Sequence, residues 1–347
     1  MWRSSPTWRM ELFSRLPYLN LYPPSKNRCF TMFANLRQNE DAVSPIVATL
    51  VLIVVAVVGA VAVGTIMGTF SNDVADQTNI GDVAGSSSYE ILIGGSTTVQ
   101  PISELLGKAF MAKNPGVKIN VQGGGSGVGI TSAKMGLVDI GAASKAVDDS
   151  ELTVTQIGGS AVVVIAGSGV TVQNVTKAEL NTFITAGTVP GNLTSATKFV
   201  QRAEASGTEE TFAQWVINKD TKSLDAYTGT WMTSAAGNAG VLKAVQDNPT
   251  YVGFVDAGYA LDATGIKIVT IDTYSETTSK NILQALKDDK AGKTSTAYPN
   301  GLTRPLNYMT KTDAQNSIAQ KFIDFARSPA AIDLFNEAGM YSILEFS

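Results

Sequence analysis

Three times in this chain a turn of glycines and small hydroxyl residues opens a helical pattern, and the first two of these turns follow a strand pattern. The first such turn is Gly94-Gly-Ser-Thr-Thr-Val-Gln-Pro101 and the second is Gln122-Gly-Gly-Gly-Ser-Gly-Val-Gly129. The third is Gln201-Arg-Ala-Glu-Ala-Ser-Gly-Thr-Glu-Glu-Thr-Phe212. A strand that repeatedly feeds a helix commits the chain to an α/β fold with a mostly parallel sheet. The surrounding pattern agrees. Residues 89–93 and 117–121 read as strands, 138–140 as a short strand and 161–166 as a buried one. Apolar positions 102, 105, 106, 109 and 110 keep a helical period, and 130–137 reads as a second helix. The body, 89–347, is long enough for two such lobes with a cleft between them. No fixed-period repeat is visible.

Each turn places glycine and a hydroxyl residue at a helix N-terminus. There the first backbone N–H groups lack intrahelical partners and the macrodipole is positive. One terminus stabilises an anion by about 0.3–1 kcal/mol. Three that converge would surround a tetrahedral oxyanion with donors, and Arg202 adds a planar, permanently charged fork. Taken singly, each turn also fits an ordinary cap; Ser206-Gly-Thr-Glu209 has the spacing of a capping box.

Composition removes other chemistries. The chain has no histidine and one cysteine, Cys29. Histidine-based triads, imidazole metal sites and a disulfide framework are therefore excluded. Ser126 lacks the flanking glycine spacing of a nucleophile elbow, and no turn completes a nucleotide-binding fingerprint. The net charge of −4 argues against nucleic acid as a partner. The reading is a binding protein without enzymatic activity or cofactor.

The N-terminal quarter concerns location. No charged residue occurs from residue 42 to 72, and 42–70 is apolar enough to cross a bilayer as one helix. All six Lys and Arg before it lie on its N-terminal side, and the first basic residue after it is Lys108. The charge asymmetry places the N-terminus in the cytoplasm and the body outside a cell membrane spanned once. Asn39-Glu-Asp-Ala-Val-Ser-Pro-Ile46, opening this stretch, resembles the junction of archaeal type IV pilin-like proteins. That resemblance implies a leader, 1–41, cut by a prepilin peptidase near residues 41–42, and association with like subunits. Residues 1–31 carry no usable periodicity and read as an upstream extension. Residues 71–88, rich in Asn, Asp, Gly and Ser, read as a linker.

The body resembles the phosphate-binding protein of phosphate ABC importers. The resemblance is carried by Gly95-Ser-Thr-Thr-Val-Gln-Pro-Ile102, the Gly/Ser turn at 122–130 and Val138-Asp-Ile-Gly-Ala-Ala-Ser144. It continues in Arg202-Ala-Glu-Ala-Ser-Gly-Thr208, Gly237-Asn-Ala-Gly240 and the segments 251–259 and 322–329. It implies a two-lobed type II periplasmic-binding-protein fold, with lobe 1 from 89–166 and 255–347 and lobe 2 from 167–254. By the same resemblance, Ser96, Thr97, Ser126, Gly127 and Ser144 bind phosphate from the first lobe. Arg202, Ser206, Gly207 and Thr208 do so from the second. Glu204 braces the arginine; an outer acceptor would be Asp139 or a backbone carbonyl, and Asp139 reads equally as a structural residue at a strand end. Some members carry an Asp after the Ala-Ser pair to accept the ligand's proton; here Lys145 stands there. The expected role is a membrane-tethered receptor that passes inorganic phosphate to an ABC permease. The alternative is a pilin-like filament subunit displaying an oxyanion-binding domain.

Overall fold

The computed structural model describes residues 89–347, except residues 273, 275, 276, 314 and 315. The expected leader, apolar span and linker lie outside the described residues. Among the described residues, no helix is long and apolar enough to cross a membrane.

β1 (Tyr89–Gly95) leads into α1 (Gln100–Lys113), β2 (Val117–Gly123) into α2 (Ser126–Lys134), and β3 (Ile140–Ala143) follows. β1 lies parallel between β2 and β3. Ile91 and Ile93 of β1 are fully buried, as befits a parallel strand covered on both faces. α1 turns Ile102, Leu106 and Phe110 inward at helical spacing, with Pro101 in its first turn, where a missing N–H is harmless. The second helix begins earlier than the apolar pattern predicts. Gly125 adopts φ 91°, a conformation that glycine enters freely, so the chain turns there and Ser126 opens the helix. The short strand expected at 138–140 forms at Ile140–Ala143. Asp139 lies just before it, its amide already bonded to Leu92 of β1.

The chain then enters β4 (Leu152–Gly167), a strand of 16 residues. β5 (Thr171–Val172), α3 (Lys177–Ala186) and β6 (Leu193–Thr194) follow. Next come β7 (Lys198–Arg202), α4 (Gly207–Val216), β8 (Met232–Ala235), α5 (Gly237–Asp247) and β9 (Tyr251–Asp256). After the short α6 (Ala257–Ala260), β10 (Ile266–Ile268) and α7 (Ser279–Lys290), β11 (Thr303–Lys311) runs back along β4. α8 (Ser317–Ala326), α9 (Ile332–Glu337) and β12 (Tyr341–Ser342) complete the chain.

The strand order is β2-β1-β3-β11-β4-β9-β7-β8, with β10 and β12 also paired to β4. β4 belongs to both lobes: its residues 152–161 pair with β11 and its residues 162–166 with β9. The first core packs Ile91, Ile93, Leu106, Leu306 and Phe322. The second is built on Phe199, Phe212 and Phe254, the last two stacked with centroids 4.4 Å apart. The sequence reading returns the chain to the first lobe at residue 255. The packing places that return later: Val255, Val269, Ile282 and Leu302 all belong to the second core, and β11 makes the crossing. Apolar residues flank Asp256 on both sides, in β9 and in α6, so the apolar pattern does not mark the change of lobe. Tyr341, Ile343 and Phe346 at the C-terminus also pack in the second core.

Candidate functional site

In a parallel α/β sheet, the loops at the carboxyl ends of the strands face the crevice. Here β1, β2 and β7 end in the three glycine-rich turns, and the turns meet. Ser96, after β1, accepts the Thr98 and Val99 N–H groups at 3.2 and 3.4 Å, in the turn that leads into α1. Its own hydroxyl donates to Ser144, after β3, at 2.9 Å. Ser126 opens α2, and its oxygen accepts the Ser144 N–H at 3.1 Å and lies 3.3 Å from the Ser144 hydroxyl. Across the cleft, Ser206 caps α4, its oxygen accepting from Thr208 N and Glu209 N. The lobes approach closely at Gly207, where an added Cβ would lie 2.5 Å from Ser126 Oγ and 2.9 Å from Ser144 Oγ. Gly127 donates to Ala205 O at 3.4 Å, and the Thr98 and Thr208 hydroxyls are 3.1 Å apart.

Two guanidinium groups border this cluster, and both side chains are only 1% exposed. Arg202 reaches from the end of β7 to Thr97 Oγ1 at 2.9 Å and pairs with Glu204. Glu204 in turn accepts the Gly237 N–H at the start of α5. Arg304, on β11, donates to Thr98 Oγ1 at 2.9 Å, Ser144 Oγ at 3.2 Å and Asp256 Oδ2 at 2.6 Å. Asp256 also receives Ser160 Oγ at 2.7 Å, so the pair ties β4, β9 and β11 together where the lobes join. Burial lowers the Arg304 pKa; Asp256 opposes this and the neighbouring positive Arg202 adds to it. Asn238 of α5 accepts from Asp256 N at 3.0 Å and donates to Thr98 at 2.9 Å. Tyr259 donates to Thr97 O at 2.8 Å, its pKa pushed up to about 12 by burial and then by the Asp256 carboxylate.

The structure therefore gathers Ser96, Thr97, Ser126, Gly127 and Ser144 from one lobe with Arg202, Ser206, Gly207 and Thr208 from the other, and Glu204 behind the arginine. Asp139 is not among them. Its carboxylate accepts from Leu92 N at 2.9 Å and Asn316 Nδ2 at 2.8 Å, upstream of the strand ends that face the cleft. The capping-box reading of Glu209 also changes. Ser206 caps as expected, but the Glu209 carboxylate turns to Arg202 N at 2.7 Å and Leu224 N at 2.8 Å. Burial raises the Glu209 pKa against those donated bonds. Lys145 crosses from one lobe to the other, its Nζ 2.5 Å from Glu210 Oε2 on α4. Beside this pair, residues of both lobes, among them Gly127, Lys145, Ser206, Gly207 and Glu210, line a common cavity.

Thr98, Asn238, Asp256 and Arg304 received no role from the sequence. Thr98 and Asn238 lie inside recognised motifs. For Arg304 the available signal is weak: an arginine between Leu302 and Leu306, where burial would make an unpaired charge expensive.

A family model described as a PBP superfamily domain matches residues 71–330. The chain is 28% identical over 192 residues to the phosphate-binding protein PstS of Bacillus subtilis, covering 51% of this chain and 60% of that protein. The phosphate-binding protein PstS of Borreliella burgdorferi is 23% identical over 264 residues, covering 73% of this chain and 90% of the relative. A solved Clostridium perfringens structure with bound phosphate superposes with a TM-score of 0.62 at 23% identity, covering 73% of this chain and 99% of that one. At that identity the likeness shows a shared fold.

Proposed function

The chain belongs to the PBP superfamily, and on that premise we propose that it is a receptor that captures inorganic phosphate between its lobes and delivers it to an ABC permease. One observation carries the reading. Three helix N-termini and Arg202, contributed by both lobes, converge on one buried cluster of hydroxyls. Such a cluster supplies an oxyanion with backbone dipoles, O–H donors and a guanidinium in a setting that excludes water. The relatives named for phosphate binding support phosphate as the anion.

Capture is by lobe closure, with no covalent step. β4 and β11 run between the lobes and form the hinge, and the Lys145–Glu210 pair joins the lobes across the cleft. Ser126 has no imidazole to activate it, because the chain contains no histidine. The uncharged stretch 42–70 would hold the body at the outer face of a membrane. The pilin-like opening of that stretch favours a second arrangement, a filament subunit with the same body on its surface. Cell-surface fibres that carry the protein in electron micrographs support it; uniform detergent-soluble monomers count against it.

The receptor reading is tested by thermal unfolding with and without phosphate. At a hundred times the dissociation constant, bound phosphate adds about 2.7 kcal/mol of stability and a clear rise in Tm. An unchanged Tm at millimolar phosphate rejects the reading.

A further inference from the structure

The polar groups of the cleft are arranged in chains, and each chain ends in a donor. Ser96 Oγ accepts two backbone N–H groups and passes its own proton to Ser144. Ser144 Oγ also accepts from Arg304, which leaves its proton for Ser126. Ser126 already accepts the Ser144 N–H, so its O–H is left to give. Ser206 Oγ likewise receives two N–H groups and keeps a free O–H. Thr98 accepts from Asn238 and from Arg304, which directs its proton to Thr208. The Nε–H groups of Arg202 and Arg304, both buried, have no partner among the described residues.

The carboxylates bordering the cleft already have donors. Asp256 is held by Arg304, Ser160 and Gly258 N, and Glu204 by Arg202 and Gly237 N. Glu209 receives Arg202 N, Leu224 N and Ser223, and Glu210 pairs with Lys145. The backbone carbonyls behave alike: Thr97 O accepts from Tyr259, Ser144 O from Arg304, Ala205 O from Gly127 and Gly207 O from Thr211. Gln201 Oε1 is buried without a partner among the described residues, but its side chain leaves β7 on the opposite face from Arg202, as adjacent strand residues do. Thr97 and Thr208 keep a lone pair each, but on neutral hydroxyls. A ligand proton would find no free carboxylate, the acceptor that forms hydrogen bonds about twice as strong as neutral ones.

We infer that this cleft selects its ligand by charge and tetrahedral shape, through donors alone, and so takes sulfate as well as the phosphate dianion. The inference rests on the oxyanion-receptor reading and widens its ligand class. A dihydrogen phosphate monoanion brings two protons to a cluster dominated by donors, whereas sulfate brings none.

The test is calorimetric titration of the full-length protein with phosphate and separately with sulfate, between about pH 5.5 and about pH 8.5. Sulfate is expected to bind within about tenfold of phosphate at neutral pH, with an affinity that stays flat across the range. Phosphate is expected to weaken by about tenfold per pH unit below its second ionisation, as mass action requires. The charged groups at the cluster are Arg202 and Arg304, Lys145, and the carboxylates Glu204, Glu209, Glu210 and Asp256, with Lys222 and Asp225 lining the adjoining cavity. Sulfate keeps its charge throughout, so any protein titration shows in its curve and separates from the ligand's. Phosphate binding with sulfate at least a hundredfold weaker overturns the inference and leaves the receptor reading standing. Sulfate binding without phosphate overturns the inference, which requires both dianions to bind, and overturns the phosphate reading with it. Heat from neither ligand overturns both.

Discussion

Arg202 and Arg304 belong to one buried network but answer to different carboxylates, Glu204 and Asp256. Asp256 is fully buried, so losing its partner would strand a charge in a low-dielectric interior. Arg304→Met alone is expected to destabilise the fold by about 3–5 kcal/mol in urea unfolding, and Arg304→Met with Asp256→Leu should recover most of it. Arg202 was legible because it lies beside Ser206-Gly-Thr208 in a turn that already suggested an anion. Arg304 was not, because a strand arginine shows its partners only once β9 and β11 are brought together. Glu209 gives a pH prediction. Its folded pKa is raised above the unfolded 4.5 by burial, so the folded chain binds the proton more tightly. Its contribution to stability is therefore full below the unfolded pKa and lost as pH rises through the folded one. Denaturant unfolding at about pH 4.5 and about pH 7.5 should show Glu209→Gln gaining on the wild type at the higher pH. No gain would mean that the bonds from Arg202 N and Leu224 N outweigh burial.

At the scale of elements, α4 joins the site to the second core. Its N-terminus carries Ser206 and Gly207, and one turn later Phe212 stacks on Phe254 and Phe199. The apolar spacing of Phe212, Trp215 and Val216 made this helix readable from sequence. The exact start of α2 was not, because it depends on the positive φ of Gly125, against which Ala205 O from the other lobe packs. Phe212→Ala should cost about 3–5 kcal/mol of stability, measured as a lower denaturation midpoint with an unchanged m-value. A loss below about 1 kcal/mol would mean that the stack collapses around the gap.

At the scale of the molecule, local pattern suffices for two α/β lobes, while the course of the chain between them needs tertiary contacts. The alternation of strand and helix exposes the architecture. The lobe boundary at β11 is set by which core receives Val269, Ile282 and Leu302, and each of these is simply apolar in the sequence. The Lys145–Glu210 pair joins the lobes with side chains 22% and 17% exposed, so solvent and salt weaken it only in part. Lys145→Met and Glu210→Gln should each speed phosphate release by up to about fivefold, corresponding to about 1 kcal/mol. The double variant should do no worse than either single one in stopped-flow displacement. Additive effects would mean that the two residues act separately.

The central claim is that phosphate is held between the lobes with Arg202 as its principal cation. Its most direct test is calorimetric titration of the wild-type protein and of Arg202→Lys with phosphate at neutral pH. The account predicts a wild-type Kd of about 1 μM or tighter, near −8 kcal/mol. Losing the guanidinium fork should weaken it by about 1.5–3 kcal/mol, roughly tenfold to a hundredfold. A folded wild type that gives no heat, or an Arg202→Lys variant that binds as tightly, would contradict it.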